Sequence, residues 1–213
     1  MKKATQQESG RSMIEMLGVL AIIGVLSVGG IAGYSQAMNK FKVSKTTDQI
    51  QTMVQNIRTL FASQKNYDGL DSATNQTMLY SSGIFSDENC PDGSSCSNPM
   101  NPYGGLIVVQ TVKDDNSRSK RAFTLVYNGL PADACVRLAT QGWGDASSGL
   151  IAVQAKNAAV ATVESDSSIP QEASGSGNSV VYTSTGNVPM SLSKASTGCG
   201  ASGNSSAVAL YFK

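Results

Sequence analysis

The chain has 213 residues, enough to bury one sizeable core with an appended segment but not two full domains. Its 16 Lys and Arg stand against 15 Asp and Glu, a formal net charge of +1, and are scattered rather than gathered in a stripe, so nucleic acid is excluded as a main partner. It has no histidine, which removes the commonest general base, the commonest metal ligand and every Ser/His or Cys/His nucleophile pairing, and with them most enzyme chemistries.

The chain opens with a polar stretch holding Lys2 and Lys3, reaches Gly10, and runs from Met16 to Asn39 without a charge. At helical rise these residues span about 36 Å against about 30 Å of bilayer hydrocarbon, so the segment can cross a membrane. Lys2, Lys3 and Arg11 precede it, which keeps the N-terminus cytoplasmic and sends everything after Lys40 outward. Glu15 does not fit a plain anchor. A carboxylate at the start of an apolar run is costly to submerge and calls for a partner cation; the plainer reading rests it at headgroup level, completing a helix N-terminus. A secretory signal cut after Ser35-Gln36-Ala37 is the rival for the whole segment, but its apolar region is too long and is preceded by Glu8 and Glu15.

Beyond the apolar run, Ile50, Met53, Val54, Ile57, Leu60 and Phe61 recur at steps of three and four, one apolar helix face, so the helix is predicted over 11–63. Gly18, Gly24, Gly29, Gly30 and Gly33 permit close helix approach, and the Gly29-Gly30 pair lowers local helix stability by about 1 kcal/mol per glycine. Gln64 to Gly105 turns polar, a connecting loop with one helical turn around Met78, Leu79, Tyr80, Ile84 and Phe85. Leu106–Val112 and Ala122–Tyr127 are β-branched and apolar, and read as a β-hairpin. Its tip, Asp114-Asp115-Asn116, offers oxygens to calcium, although solvated hairpin loops have the same composition. A helix begins near Pro131 with Ala134, Val136 and Leu138 on its apolar side. Leu150–Gln154, Ala158–Val163, Val180–Thr183 and Ala207–Phe212 are strand candidates, and Ser174–Asn178 is the predicted flexible loop.

Four cysteines in a segment sent to the oxidising side favour disulfides. Three connectivities are open. Cys90 with Cys96 and Cys135 with Cys199 is the favoured set, because Cys-Pro-Asp-Gly-Ser-Ser-Cys is turn-rich and can bring its own ends together. Loop entropy gives the short bridge roughly 2.4 kcal/mol and the long one roughly 4.3. A zinc site is the rival, without the usual short ligand spacing.

Gly10-Arg11-Ser12-Met13-Ile14-Glu15-Met16-Leu17 followed by the apolar run resembles the processing site of type IV prepilins. The resemblance implies that a prepilin peptidase cuts after Gly10, leaving residues 11–213, and methylates the new amine on Arg11. Glu15 is then the fifth mature residue, which in that family pairs with the N-terminal amine of a neighbouring subunit. Two unit charges about 4 Å apart at an effective dielectric near 20 attract by about 4 kcal/mol before desolvation. The family usually starts with an apolar or aromatic residue, whereas Arg11 adds a second positive charge beside Glu15.

The head, by length, element order and cysteine placement, resembles class b type IV pilins of Gram-negative bacteria. That implies an α+β protein with a ladle-like fold, a long N-terminal helix packed on a twisted antiparallel sheet. It also implies a leader over 1–10, a helix over 11–63 whose segment 16–39 serves membrane and assembly, and a head over 64–213 with a disulfide-bounded region over 135–199. The expected function is a non-enzymatic pilus subunit without cofactor or metal, polymerised through its helix into an extracellular filament for adhesion, aggregation or conjugation. Its expected partners are its own copies, the prepilin peptidase, the inner membrane that holds the precursor, and the assembly platform in that membrane. Loss of Lys2, Lys3 and Glu8 with the leader brings the charges into formal balance, so neighbouring heads repel little. A type II secretion pseudopilin or a minor pilin shares the Gly10 to Glu15 signature. A membrane-tethered hydrolase pairing Ser with Lys is the enzymatic alternative, but no Ser-x-x-Lys stands in an apolar strand-to-helix context.

Overall fold

The computed structural model describes residues 13–72, 74–114, 116–158, 167–169, 179–183, 188–200 and 206–213. Gly10, Arg11, the loop Ser174–Asn178 and, apart from Ala158, the candidate strand Ala158–Val163 lie outside them. The chain divides into two compact units, Met1–Phe41 and Lys42–Lys213.

Helix α1, Met13–Leu60, runs through the boundary between the units. Its part in the first unit carries no charge from Met16 to Asn39, and no residue from Met13 to Ala37 is buried. Its part in the second unit buries Thr46, Ile50, Met53, Val54 and Ile57, one stripe at helical steps, with Phe61 at its end. The helix expected to reach Ser63 stops at Leu60. Phe61 turns its ring into the core, 5.4 Å from that of Tyr67, and the Gln64 N–H closes a turn on the Phe61 carbonyl at 2.9 Å. Leu60, expected on the buried face, is 41% exposed, off the edge of the stripe.

The sheet of the second unit has five strands in the order β1 (Ile107–Val112), β2 (Ala122–Leu130), β5 (Ser206–Phe212), β3 (Leu150–Lys156) and β4 (Ser179–Thr183), every neighbouring pair antiparallel. β1 and β2 form the predicted hairpin, with Ile107 opposite Tyr127 and Val112 opposite Ala122. The C-terminal strand β5 lies in the middle, pairing Phe212 with both Phe123 and Leu150. Alternation along the strands sends Phe123, Leu125, Tyr127, Val208, Leu210 and Phe212 into one core with the α1 stripe. Val108, Val126, Ile151, Ala207 and Ala209 lie in a second core on the opposite face, with Ile169 and Val181. Each large side chain buried this way contributes about 1.5–3 kcal/mol.

The connecting region after α1 holds α2, Gln76–Ser81, which buries Leu79, and a single 3-10 turn at Gly93–Ser95. Ile84 and Phe85 join the main core. The helix predicted near Pro131 is α3, Ala132–Thr140; it buries Cys135 and Ala139 beside the expected Ala134 and Leu138, while Val136 is only half-buried. A further helix, α4 over Leu192–Cys199, was not expected from the sequence.

Candidate functional site

No cluster of three or more His, Cys, Asp or Glu side chains able to hold a metal ion occurs among the described residues. The features that stand out are instead surfaces. The first is the N-terminal part of α1, where Met13, Ile14, Leu17, Leu20, Ile23, Leu26 and Ile31 are all more than half exposed. An 18-residue stretch there is apolar enough to cross a bilayer and none of it is buried. Its two serines do not make it polar: the Ser27 hydroxyl donates to the Ile23 carbonyl at 2.7 Å, and that of Ser35 to the Ile31 carbonyl at 3.0 Å. A Cβ added at Gly18, Gly24, Gly29, Gly30 or Gly33 would meet nothing within 4 Å, so packing within the chain does not require these glycines. Glu15 lies in the first turn of α1, where a negative charge is favoured by the helix dipole. Among the described residues it makes no ion pair.

The second surface is organised by disulfides. Cys135 on α3 is bonded to Cys199 at the end of α4, with Cα atoms 5.8 Å apart and a sequence separation of 64. Both cysteines are fully buried, and Ala195 lies one turn before Cys199 on the same face of α4. Cys90 and Cys96 close the short turn across Gly93–Ser95, with Cα atoms 4.7 Å apart. The chain leaving α3 is anchored by Trp143, whose indole N–H donates to the Leu138 carbonyl at 2.7 Å.

The second-unit part of α1 is fastened to these loops along its length. The Thr47 hydroxyl donates to Gln141 at 3.1 Å, and Lys45 pairs with Glu88, which also accepts from Gln49 at 3.2 Å. The Lys45 ammonium is the main cause that holds the Glu88 carboxyl below its ordinary range. Arg58 donates to the Ser148 carbonyl at 2.8 Å and lies 5.3 Å over the Phe212 ring. Sequence reading had found neither Arg58 nor α4. Arg58 gives no local signal because its partners lie 90 and 155 residues away. The spacing of Ala195 and Cys199 was the signal that could have revealed α4.

The described part of the hairpin tip is engaged within the chain. Asp114 turns inward: its carboxylate accepts from the backbone N–H of Asn116 at 3.0 Å and of Arg118 at 2.8 Å, and pairs with the Arg118 guanidinium at 2.6 Å. Those bonds occupy the oxygens a cation would need, and Asp115 lies outside the described residues.

The model of the bundlin family matches residues 35–213, the whole head and the helix that enters it. The chain is 29% identical over 142 residues to the major structural subunit of bundle-forming pilus of Escherichia coli O127:H6, covering 67% of this chain and 69% of that one. It is 26% identical over 138 residues to the toxin coregulated pilin of Vibrio cholerae serotype O1, covering 65% of this chain and 59% of that one. Among solved structures, a type IV b pilin from Salmonella typhi superimposes with a TM-score of 0.51 at 21% identity, over 78% of this chain and 96% of that one. A type IV pilin from Vibrio cholerae El Tor does so with a TM-score of 0.51 at 19% identity, over 82% and 99%. A long N-terminal helix, a five-stranded antiparallel sheet on its second half and these matches lead to one assignment: the chain belongs to the bundlin family and has the fold of a type IV pilin.

Proposed function

We infer that the chain is a structural, non-enzymatic subunit of a class b type IV pilus. One observation carries this reading most directly: a helix whose first half is uncharged from Met16 onward, predominantly apolar and wholly exposed continues into a head with a complete core of its own. Such a segment needs an apolar environment, lipid before assembly and copies of itself afterwards. The Escherichia coli relative named above is a major structural subunit, and the Vibrio cholerae relative is a pilin, which favours a major pilin over a pseudopilin.

In this reading prepilin peptidase cuts after Gly10 and methylates Arg11, and the precursor waits in the inner membrane for the assembly platform. Glu15 then pairs with the N-terminal amine of a neighbouring copy, and the extracellular filament serves adhesion, aggregation or conjugation. A bundle-forming relative favours association between filaments. Electron microscopy of sheared surface material, with the N-terminal residue read from the same sample, tests this. Filaments starting at methylated Arg11 are expected. A chain starting at Met38, or one still carrying its first ten residues and never in filaments, overturns the reading. Glu15→Ala is expected to be cut normally yet to yield no filaments; abundant pili from that variant would remove Glu15 from assembly.

A further inference from the structure

Three parts of the chain far apart in sequence meet at the end of the second unit where α1 stops: the turn at 61–67, Asp114, Arg118 and Arg121 between β1 and β2, and Lys213 after β5. They are stitched together by the Arg121 guanidinium donating to the Lys65 carbonyl at 2.6 Å, the Tyr67 N–H to the Lys120 carbonyl at 2.9 Å, and Arg58 to a main-chain oxygen of Lys213 at 3.3 Å. Between them lies a cleft of about 240 Å³. Among the described residues, Lys65, Arg118, Arg121 and Lys213 line it, and the one carboxylate, that of Asp114, is buried and paired with Arg118. In a chain whose charges otherwise nearly cancel, this concentration is a local excess of one sign. Like charges gathered in a cleft repel one another, and focus a positive field on whatever enters.

The rest of the lining narrows the ligand. Phe61 and the half-buried Tyr67 give an aromatic wall, and Gln64 and Asn66 give amides able to meet hydroxyl groups. Burial raises the Tyr67 hydroxyl above its ordinary range against the opposing pull of Arg58, so it remains a donor. The volume falls below the roughly 300–1,000 Å³ of sites for drug-sized ligands, which suits a single ring. Guanidinium groups match the planar or trigonal faces of carboxylate, sulfate and phosphate. We propose that this cleft binds an acidic monosaccharide unit, a sugar ring bearing a carboxylate or sulfate, through Lys65, Arg118 and Arg121 at the acid and the aromatic wall at the ring. The inference goes beyond filament formation and does not depend on it.

The test is calorimetric titration of the full chain in detergent micelles, at fixed ionic strength, with galactose 6-sulfate, galactose and inorganic sulfate. Galactose 6-sulfate is expected to bind at least about tenfold more tightly than either of the others. Lys65→Gln and Arg121→Gln should each weaken it by about tenfold, the worth of one charge-assisted contact. Arg121→Gln also loses the bond to the Lys65 carbonyl, so Lys65→Gln, whose exposed side chain is replaced without touching that bond, is the decisive variant. Lys156→Gln, which removes a cation from the Ala207 end of β5, is the control and should leave affinity unchanged. Equal binding of sulfate and galactose 6-sulfate, no binding at all, or equal weakening by Lys65→Gln and Lys156→Gln would overturn the proposal.

Discussion

Asp114 keeps its charge with a side chain only 2% exposed, which would be prohibitive without donors on nearly every side. Burial by itself pushes its carboxyl up; the N–H groups of Arg118 and Asn116 and the Arg118 guanidinium outweigh that and hold it below the ordinary carboxylate range. A carboxyl lowered by folding stabilises the native state above the unfolded-chain value of about 3.9, and the gain is lost as pH falls through the native one. Asp114→Asn should therefore cost about 1 kcal/mol near neutral pH and lower Tm by about 2–4 °C. The gap from the parent should close as thermal melts are taken below about pH 4. A gap that persists unchanged at low pH would show that the carboxylate's charge is not what matters. The sequence suggested a solvated acidic tip here, because composition names the residues of a loop but not the direction in which they point. The partner four residues on, Arg118, was the available signal.

At the scale of elements, what could be read locally was read correctly and what depended on distant packing was not. The hairpin of β1 and β2 declares itself through β-branched runs around a polar turn, and α3 through Pro131 and its apolar spacing. α4 escaped because Leu-Ser-Lys-Ala-Ser-Thr-Gly-Cys is poor in helix formers; Ser, Thr and Gly each disfavour helix by up to about 1 kcal/mol relative to Ala. Its helix is held by the burial of Ala195 and by the bond from Cys199 to α3, contacts invisible until the chain is folded. That makes the two disulfides unequal. Loop entropy assigns the bridge between α3 and α4 about 4 kcal/mol and the local bridge about 2. Replacing Cys135 and Cys199 together by Ala should lower Tm well beyond the loss from replacing Cys90 and Cys96 together. Equal losses, or the reverse order, in parallel melts would mean that α4 is held by packing alone.

For the molecule as a whole, the apolar run, the helical stripe and five of the six strand candidates were legible, while the strand order was not. Nothing in Ser206–Phe212 announces that it will sit in the sheet centre, because pairing with both β2 and β3 is decided by which apolar faces remain uncovered once the hairpin has formed. The division of α1 was legible for a plainer reason, since a segment with no charge from Met16 to Asn39 has no polar face to turn toward water. Its whole surface is committed to an apolar medium, first lipid and then, in the function inferred above, other helices. A single charge in its middle tests that commitment without touching the head. Lysine at a helix centre costs about 2.5–3.5 kcal/mol on insertion, roughly a hundredfold in the equilibrium. Leu26, 68% exposed on α1, makes no contribution to the core of the second unit. Leu26→Lys should therefore leave the melt of the head unchanged, shift the protein from the membrane pellet into the carbonate-soluble fraction, and abolish filaments. Filaments at parental levels would mean that the apolar surface of this segment is not what membrane and fibre recognise.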